Sequence, residues 1–277
     1  MTSPLPMTAG RWVALVIGTP LALVAIGWTA LSAVAWAGLG SFRVNLAVPV
    51  QSSQTAAVNV DAGDVSVRPG PAGRIGVRGT VTYSLVRPQL SWQRTPSAIT
   101  FHSRCNVPTG ECSLNFAVTV PAGGRSDVST GAGDVTASGL SGTVTLGSAA
   151  GDVRASAISG RATISDESGD IVLSSLSASR ALITDSSGNI TGSGVSSPDV
   201  TAQDQSGDIT LVFTAVPGRV QVSDSSGNIT LVLPRGAAYR VSTTNSSGNT
   251  EVSVRRSDTS PHVITVTDES GNITIAQ

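Results

Sequence analysis

One phrase recurs through the second half of the chain. It reads DESGDI at Asp166–Ile171, DSSGNI at Asp185–Ile190, DQSGDI at Asp204–Ile209, DSSGNI at Asp224–Ile229, NSSGNT at Asn245–Thr250 and DESGNI at Asp268–Ile273. Its glycines, Gly169, Gly188, Gly207, Gly227, Gly248 and Gly271, are 19, 19, 20, 21 and 23 residues apart. Shorter forms at Gly133-Asp134-Val135 and Gly151-Asp152-Val153 each precede the next copy by 18 residues. A fixed period near 20 residues marks a stacked repeat, in which each unit buries its core only against its neighbours.

Around each bend the residues alternate. Before it stand the aliphatic pairs Ala162/Ile164, Ala181/Ile183, Val200/Ala202, Val220/Val222, Val241/Thr243 and Ile264/Val266. After it stand Ile171/Leu173, Ile209/Leu211, Ile229/Leu231, Thr250/Val252 and Ile273/Ile275, with Ile190 followed weakly by Gly192. The residues between them are mostly polar, so each segment reads as a strand with one buried face. The unit is strand, tight Ser-Gly-Asp/Asn bend, strand and a looser connection that lengthens toward the C-terminus. Glycine supplies the positive φ of the bend, and the Asp three residues earlier accepts backbone N–H bonds inside it. The expected fold is all-β: a β-solenoid of two-strand coils of about 18–23 residues. An ordinary β-sandwich with evenly spaced hairpins is the competing architecture, but it gives no reason to repeat one bend sequence six times.

Composition narrows the function classes. The basic residues are 17 Arg with no Lys, the acidic residues number 18, and the net charge is −1, which leaves no electrostatic footprint for nucleic acid. Residues 12–39 carry no charge, lie between Arg11 and Arg43, and are long enough to span a bilayer core of about 30 Å. The competing reading of residues 12–37 is a cleaved signal peptide ending at Ala35-Trp36-Ala37. Cys105 and Cys112 are the only cysteines and enclose a Pro/Gly loop, CNVPTGEC. They suit a local disulfide and an oxidising compartment, with free thiols or a metal pair as alternatives. The expected map is a tail at 1–11, a transmembrane helix at 12–39, a connector at 40–57 and the β domain at 58–277. That domain is expected outside the cytoplasm. Ile75–Val86, Ile99–Ser103 and Leu114–Val120 alternate at irregular spacing and read as atypical first coils. The chain stops two residues after Ile275, which makes the last strand a candidate open edge for self-association.

The bends hold most of the acidic residues. Asp166, Asp185, Asp204, Asp224 and Asp268 occupy one column, with Asn245 in the same place. Asp134, Asp152, Asp170 and Asp208 share a second with Asn189, Asn228, Asn249 and Asn272. Stacked carboxylates are candidate Ca²⁺ ligands; the competing reading is a turn-stabilising ladder whose Asn residues relieve charge repulsion. No catalytic residue, cofactor or other metal site is expected. The only histidines, His102 and His262, read as surface side chains, and Phe213 and Tyr239 are the only aromatics of the regular coils, too few for a sugar-stacking groove.

With the bend repeat and the steps Val120-Pro121-Ala122-Gly123, Val216-Pro217-Gly218-Arg219 and Leu233-Pro234-Arg235-Gly236, the chain resembles the bacterial cell-surface "putative adhesin" family, a β-solenoid domain of unknown function. The resemblance covers roughly residues 45–277. It implies a membrane-associated or exported solenoid with surface or envelope-stress roles and carries over no catalytic residues. The reading as a whole is a single-pass protein of the cell membrane. Its extracytoplasmic solenoid is a non-enzymatic binding, adhesion or scaffolding module for an envelope glycan or protein. The alternatives are a polysaccharide-acting enzyme or an envelope-stress sensor on the same scaffold.

Overall fold

The computed structural model describes residues 39–84, 86–105 and 112–277. The segment expected to cross a membrane therefore lies almost wholly outside the described residues. Among those residues, no helix is long and apolar enough to do so. Two sheets of 12 and 11 strands face each other, and between them runs one continuous aliphatic core.

Nine coils of the expected kind build the stack. Coil 1 is Thr55–Ala62 with Val65–Gly70, coil 2 is Arg125–Ala132 with Val135–Ser138, and coil 3 is Thr143–Ser148 with Val153–Ser156. Coil 4 is Ser159–Asp166 with Ile171–Ser174, coil 5 is Ser177–Thr184 with Ile190–Val195, and coil 6 is Asp199–Gln203 with Ile209–Phe213. Coil 7 is Arg219–Asp224 with Ile229–Val232, coil 8 is Arg240–Asn245 with Thr250–Ser253, and coil 9 is Val263–Asp268 with Ile273–Ala276. Like strands of successive coils pair in parallel, in register at equivalent residues: Ile171↔Ile190, Ile190↔Ile209, Ile209↔Ile229. Side chains at these columns are fully buried. Each buried Val, Leu or Ile contributes about 1.5–3 kcal/mol, and only because a neighbouring coil covers it.

The bends nest as closely as backbone allows. A Cβ on Gly207 would lie 1.6 Å from the carbonyl oxygen of Gly188 in the coil beneath, at φ 149°. No side chain fits there, which is why the glycine recurs. The connection read as loose is, in coils 2–5, a second fixed corner. Gly139, Ala157, Ser175 and Gly194 all adopt left-handed φ values of 51–67°. Each corner is followed closely by a buried aliphatic residue (Leu140, Ile158, Leu176, Val195), a third core column that alternation alone does not reveal.

Chain order and stacking order part at both ends. Coil 9 lies between coils 7 and 8: Val220 pairs with Ile264, and Ile264 pairs with Val241. The open edge is therefore coil 8, not the last strand of the chain, a correction to the expected C-terminal edge. The side chains give the reason. Coil 9 carries Ile264, Val266, Ile273 and Ile275, all fully buried, and needs cover on both sides. Coil 8 offers Thr243 and Thr250 at core-facing positions and tolerates a wet outer surface. Tyr239, buried with its hydroxyl donating to the Pro234 carbonyl at 2.9 Å, fills the corner where the chain skips a layer.

At the other end, Ala98–Arg104 and Cys112–Pro121 act as a further layer, pairing in parallel with the two strands of coil 1. Its corner is closed by a Cys105–Cys112 disulfide with a Cα–Cα distance of 6.1 Å, in place of a Ser-Gly bend. Outside it, three antiparallel strands finish the sheets: Arg74–Ser84, Leu39–Pro49 and Gln89–Arg94. So the stretch expected to hold only atypical coils contains one such coil and an antiparallel cap. The sheet also begins at Leu39, the last residue of the segment read as a transmembrane helix, and its first strand runs through much of the segment read as connector.

Candidate functional site

Two surfaces concentrate chemistry: the row of bends and a groove over the N-terminal cap. In the bends, the outer Asp/Asn column forms a continuous ladder. The Oδ1 atom of each member accepts the backbone N–H of the next, through Asn115, Asp64, Asp134, Asp152, Asp170, Asn189, Asp208, Asn228, Asn272 and Asn249. Where Asn follows Asp, its amide also donates sideways: Asn189 Nδ2 to Asp170 Oδ1 at 3.1 Å and Asn228 Nδ2 to Asp208 Oδ1 at 3.0 Å. Arg154 bridges Asp134 and Asp152 from outside. The backbone N–H of Asp170 and the Arg154 guanidinium hold the Asp152 carboxyl below the usual range. This column gives each bend N–H a partner within the protein in place of water.

The inner column behaves differently. Asp166, Asp185, Asp204, Asp224 and Asp268 are at most 5 % exposed. One oxygen of each, Oδ1, accepts N–H groups from the next one or two residues, as at Glu167 (2.8 Å) and Ser168 (3.4 Å) for Asp166. The other, Oδ2, is buried with no donor. Each of the five oxygens lies 2.8–3.1 Å from the point that a Cβ on its own bend glycine would occupy. Among the described residues, no group of three or more His, Cys, Asp or Glu side chains is placed to hold a metal ion.

The groove lies on the outer face of the 12-stranded sheet and measures about 660 Å³. Antiparallel and parallel pairing bring Asn45, Arg78, Ala117, Ser66 and Thr136 into one row across five strands. Arg43, Thr80 and Asn115 form a parallel row beside it. Ala117 and Ser66 keep the floor low, and Arg43, Arg78, Asn115 and Asp64 rise around it. Arg43 and Arg78 make no ion pair among the described residues, so both guanidiniums are free to meet a ligand; Asp64 is the one carboxylate in the lining. Neither histidine is in the groove. His102 sits 3.5 Å from Asn59 Nδ2, and His262 Nδ1 is 2.9 Å from the Pro217 carbonyl. The groove was not foreseen, because it depends on which distant strands become neighbours.

With this geometry in place, comparisons with known proteins carry weight. Residues 43–276 match the model of the family described as Toastrack DUF4097. No curated protein matches the chain. The fold is similar to the crystal structure of a "putative adhesin" from Bacteroides fragilis NCTC 9343, at 12 % identity and a TM-score of 0.56, covering 85 % of this chain and 97 % of that one. A second "putative adhesin", from Parabacteroides distasonis ATCC 8503, matches at 14 % identity and a TM-score of 0.46, covering 85 % and 96 %. The family match spans both the cap and the coils, and the chain belongs to the Toastrack DUF4097 family.

Proposed function

We propose that the protein is a membrane-anchored, extracytoplasmic binding module that holds an anionic envelope glycan or a protein carrying equivalent acidic groups. The observation that carries this reading is the groove, where unpaired Arg43 and Arg78 stand over a floor of small residues beside Asn45, Asn115, Thr80 and Thr136. Two guanidiniums offer charge-assisted, forked hydrogen bonds to carboxylates or phosphates, and amides and hydroxyls between them suit sugar hydroxyls. The disulfide supports a location outside the reducing cytoplasm. The apolar segment at 12–39, which runs into the first strand at Leu39, would set the groove close to the membrane surface. A single carboxylate in the lining supports binding over glycoside hydrolysis, which ordinarily uses two.

The test is retention of purified envelope polymer and envelope protein fractions by the immobilised full chain, compared with an Arg43→Ala/Arg78→Ala variant. The expected result is capture of an acidic fraction, weakened at least tenfold in the variant and by added salt. Equal capture by both proteins, or capture by neither, contradicts the assignment of the groove.

A further inference from the structure

In coils 2–9 the inner bend column has eight positions, each three residues before a bend glycine: Thr130, Ser148, Asp166, Asp185, Asp204, Asp224, Asp268 and Asn245; coil 1 has the apolar Val60 there. At the three positions that are not Asp, the side chain does one thing. Thr130 Oγ1 donates to the Gly63 carbonyl at 3.0 Å, Ser148 Oγ to the Gly133 carbonyl at 3.0 Å, and Asn245 Nδ2 to the Gly271 carbonyl at 3.0 Å. In every case the acceptor is the bend glycine of the adjacent layer. Asn245 also keeps its Oδ1 on the N–H of Ser247, as the aspartates keep theirs on the bend. Asn245 therefore shows both halves of the pattern, with one atom accepting from its own bend and the other donating to the next.

At the five Asp positions the second atom is Oδ2, and the glycine carbonyl it should serve is still there. The point that a Cβ on Gly169 would occupy lies 2.5 Å from the Gly151 carbonyl oxygen and 2.8 Å from Asp166 Oδ2; the same pair of oxygens flanks Gly207, Gly227 and Gly271. None of the hydrogen bonds among the described residues ends on Gly151, Gly169, Gly188, Gly207 or Gly227 oxygen. Two acceptors with no protein donor, the carboxylate oxygen fully buried and the glycine only partly exposed, repel as carboxylate and carbonyl. A single proton on Oδ2 resolves each case.

We infer that Asp166, Asp185, Asp204, Asp224 and Asp268 are held as neutral carboxylic acids, each donating Oδ2–H to the glycine carbonyl of the adjacent layer, so that the solenoid takes up protons as it folds and tightens in mildly acidic surroundings. The charged groups acting on the column reinforce this. From outside the column, Asp152 acts on Asp166, Asp170 on Asp185, Asp208 on Asp204 and Glu269 on Asp268; within it, the pairs Asp166/Asp185, Asp185/Asp204, Asp204/Asp224 and Asp224/Asp268 repel whenever both members are ionised, so each pair favours at least one proton. All are acidic, and each favours the protonated form. Arg154 is engaged by Asp134 and Asp152 in the outer column. Burial is the largest influence and raises all five carboxyls, Asp166 to about 6. Asp127, outside the column, is raised by burial as well.

A carboxyl raised on folding binds its proton more tightly in the native chain, so its contribution is complete below the unfolded value of 3.8 and is lost as pH climbs through the native value. For Asp166 the window runs from 3.8 to about 6. Asp152, held low, works in the opposite sense, and its contribution disappears only below that window.

The experiment uses the full chain in detergent micelles. Carboxyl ¹³C chemical shifts of aspartate-labelled protein at pH 5 are expected to show five protonated side chains. Asp166→Asn puts at this position the donor that Asn245 already uses. It should unfold at a higher temperature than the parent at pH 7.5 and remove a change in the folding constant, between pH 4 and pH 7, of about tenfold to a hundredfold. Asp166→Ala should be less stable than Asp166→Asn at every pH, because it deletes the donor. The inference is overturned if all five carbons titrate near the ordinary aspartate range. It is overturned equally if Asn is no better than Ala at pH 7.5, or if millimolar Ca²⁺ stabilises the parent and not the Asn variant.

Discussion

The stack of coils 2–9 and the N-terminal end that precedes it solve the same problem with different chemistry. In the coils, strands of like sequence pair in parallel, glycine bends nest, and polar side chains at the bends satisfy their neighbours one layer away. At the N-terminal end, strands of unlike sequence pair antiparallel, a disulfide replaces one bend, and the core is shared among Val48, Ile75, Val77, Val81, Leu114 and Phe116. Repetition makes the stack uniform, and uniformity leaves a flat wall. Irregularity at the cap leaves a groove with free arginines. The lesson is that the repeating part supplies rigidity and the non-repeating part supplies a place to bind, in keeping with function sitting on variable segments held by a rigid scaffold.

That contrast can be broken most forcefully at the glycines. Gly207→Ala drives a Cβ into the Gly188 backbone and should cost on the order of 4 kcal/mol or prevent folding. Gly123→Ala, also at positive φ but with nothing within 4 Å, should cost only about 1 kcal/mol of backbone strain. Chemical denaturation of the two variants checks the pair; equal losses would mean that the bends do not nest. Next in size is the core. Ile229→Ala, covered on both sides, should lose about 2–5 kcal/mol, whereas Val252→Ala in the half-exposed outer coil should lose under about 1 kcal/mol. Replacing both Cys105 and Cys112 by Ser should cost about 2 kcal/mol, with amide exchange rising at the cap and not in coils 4–7. Smallest is Arg43→Ala/Arg78→Ala, whose exposed side chains touch no ion-pair partner; its melting temperature should stay within about 2 °C of the parent while binding falls.

How much of this was legible in the sequence differs between the two regions for a physical reason. In the stack, period and alternation name the buried columns: Ile171, Ile209, Ile229 and Ile273 are one ladder because parallel in-register pairing maps like onto like. The acid-bearing bends were legible for the same reason. Their division of labour was not. Only a stacked backbone shows that the second oxygen of Asp204 is buried against glycine, while Asp208 Oδ1 accepts the N–H of Asn228 in the next layer. The exchanged order of coils 8 and 9 left a signal that periodicity alone passes over. NSSGNT is the one copy that lacks Asp at its head and Ile at its tail, and Thr243 and Thr250 weaken its core face, as suits a terminal layer. The groove had no such signal. Arg43, Arg78, Asn115 and Thr136 are widely separated along the chain, and irregular antiparallel pairing leaves no repeating pattern to align them.

The central claim is that glycine corners sit directly above one another in the order 207, 227, 271, 248. Cysteine pairs at exposed bend serines test it directly. Ser226→Cys with Ser270→Cys joins adjacent layers, about 4.8 Å apart, within reach of a disulfide; Ser226→Cys with Ser247→Cys spans two layers and is out of reach. Under mild oxidation the first pair should cross-link almost completely with the melting temperature retained or raised, and the second should stay reduced. Cross-linking of the second pair and not the first would contradict the stacking order, and failure of the first alone would contradict the column itself.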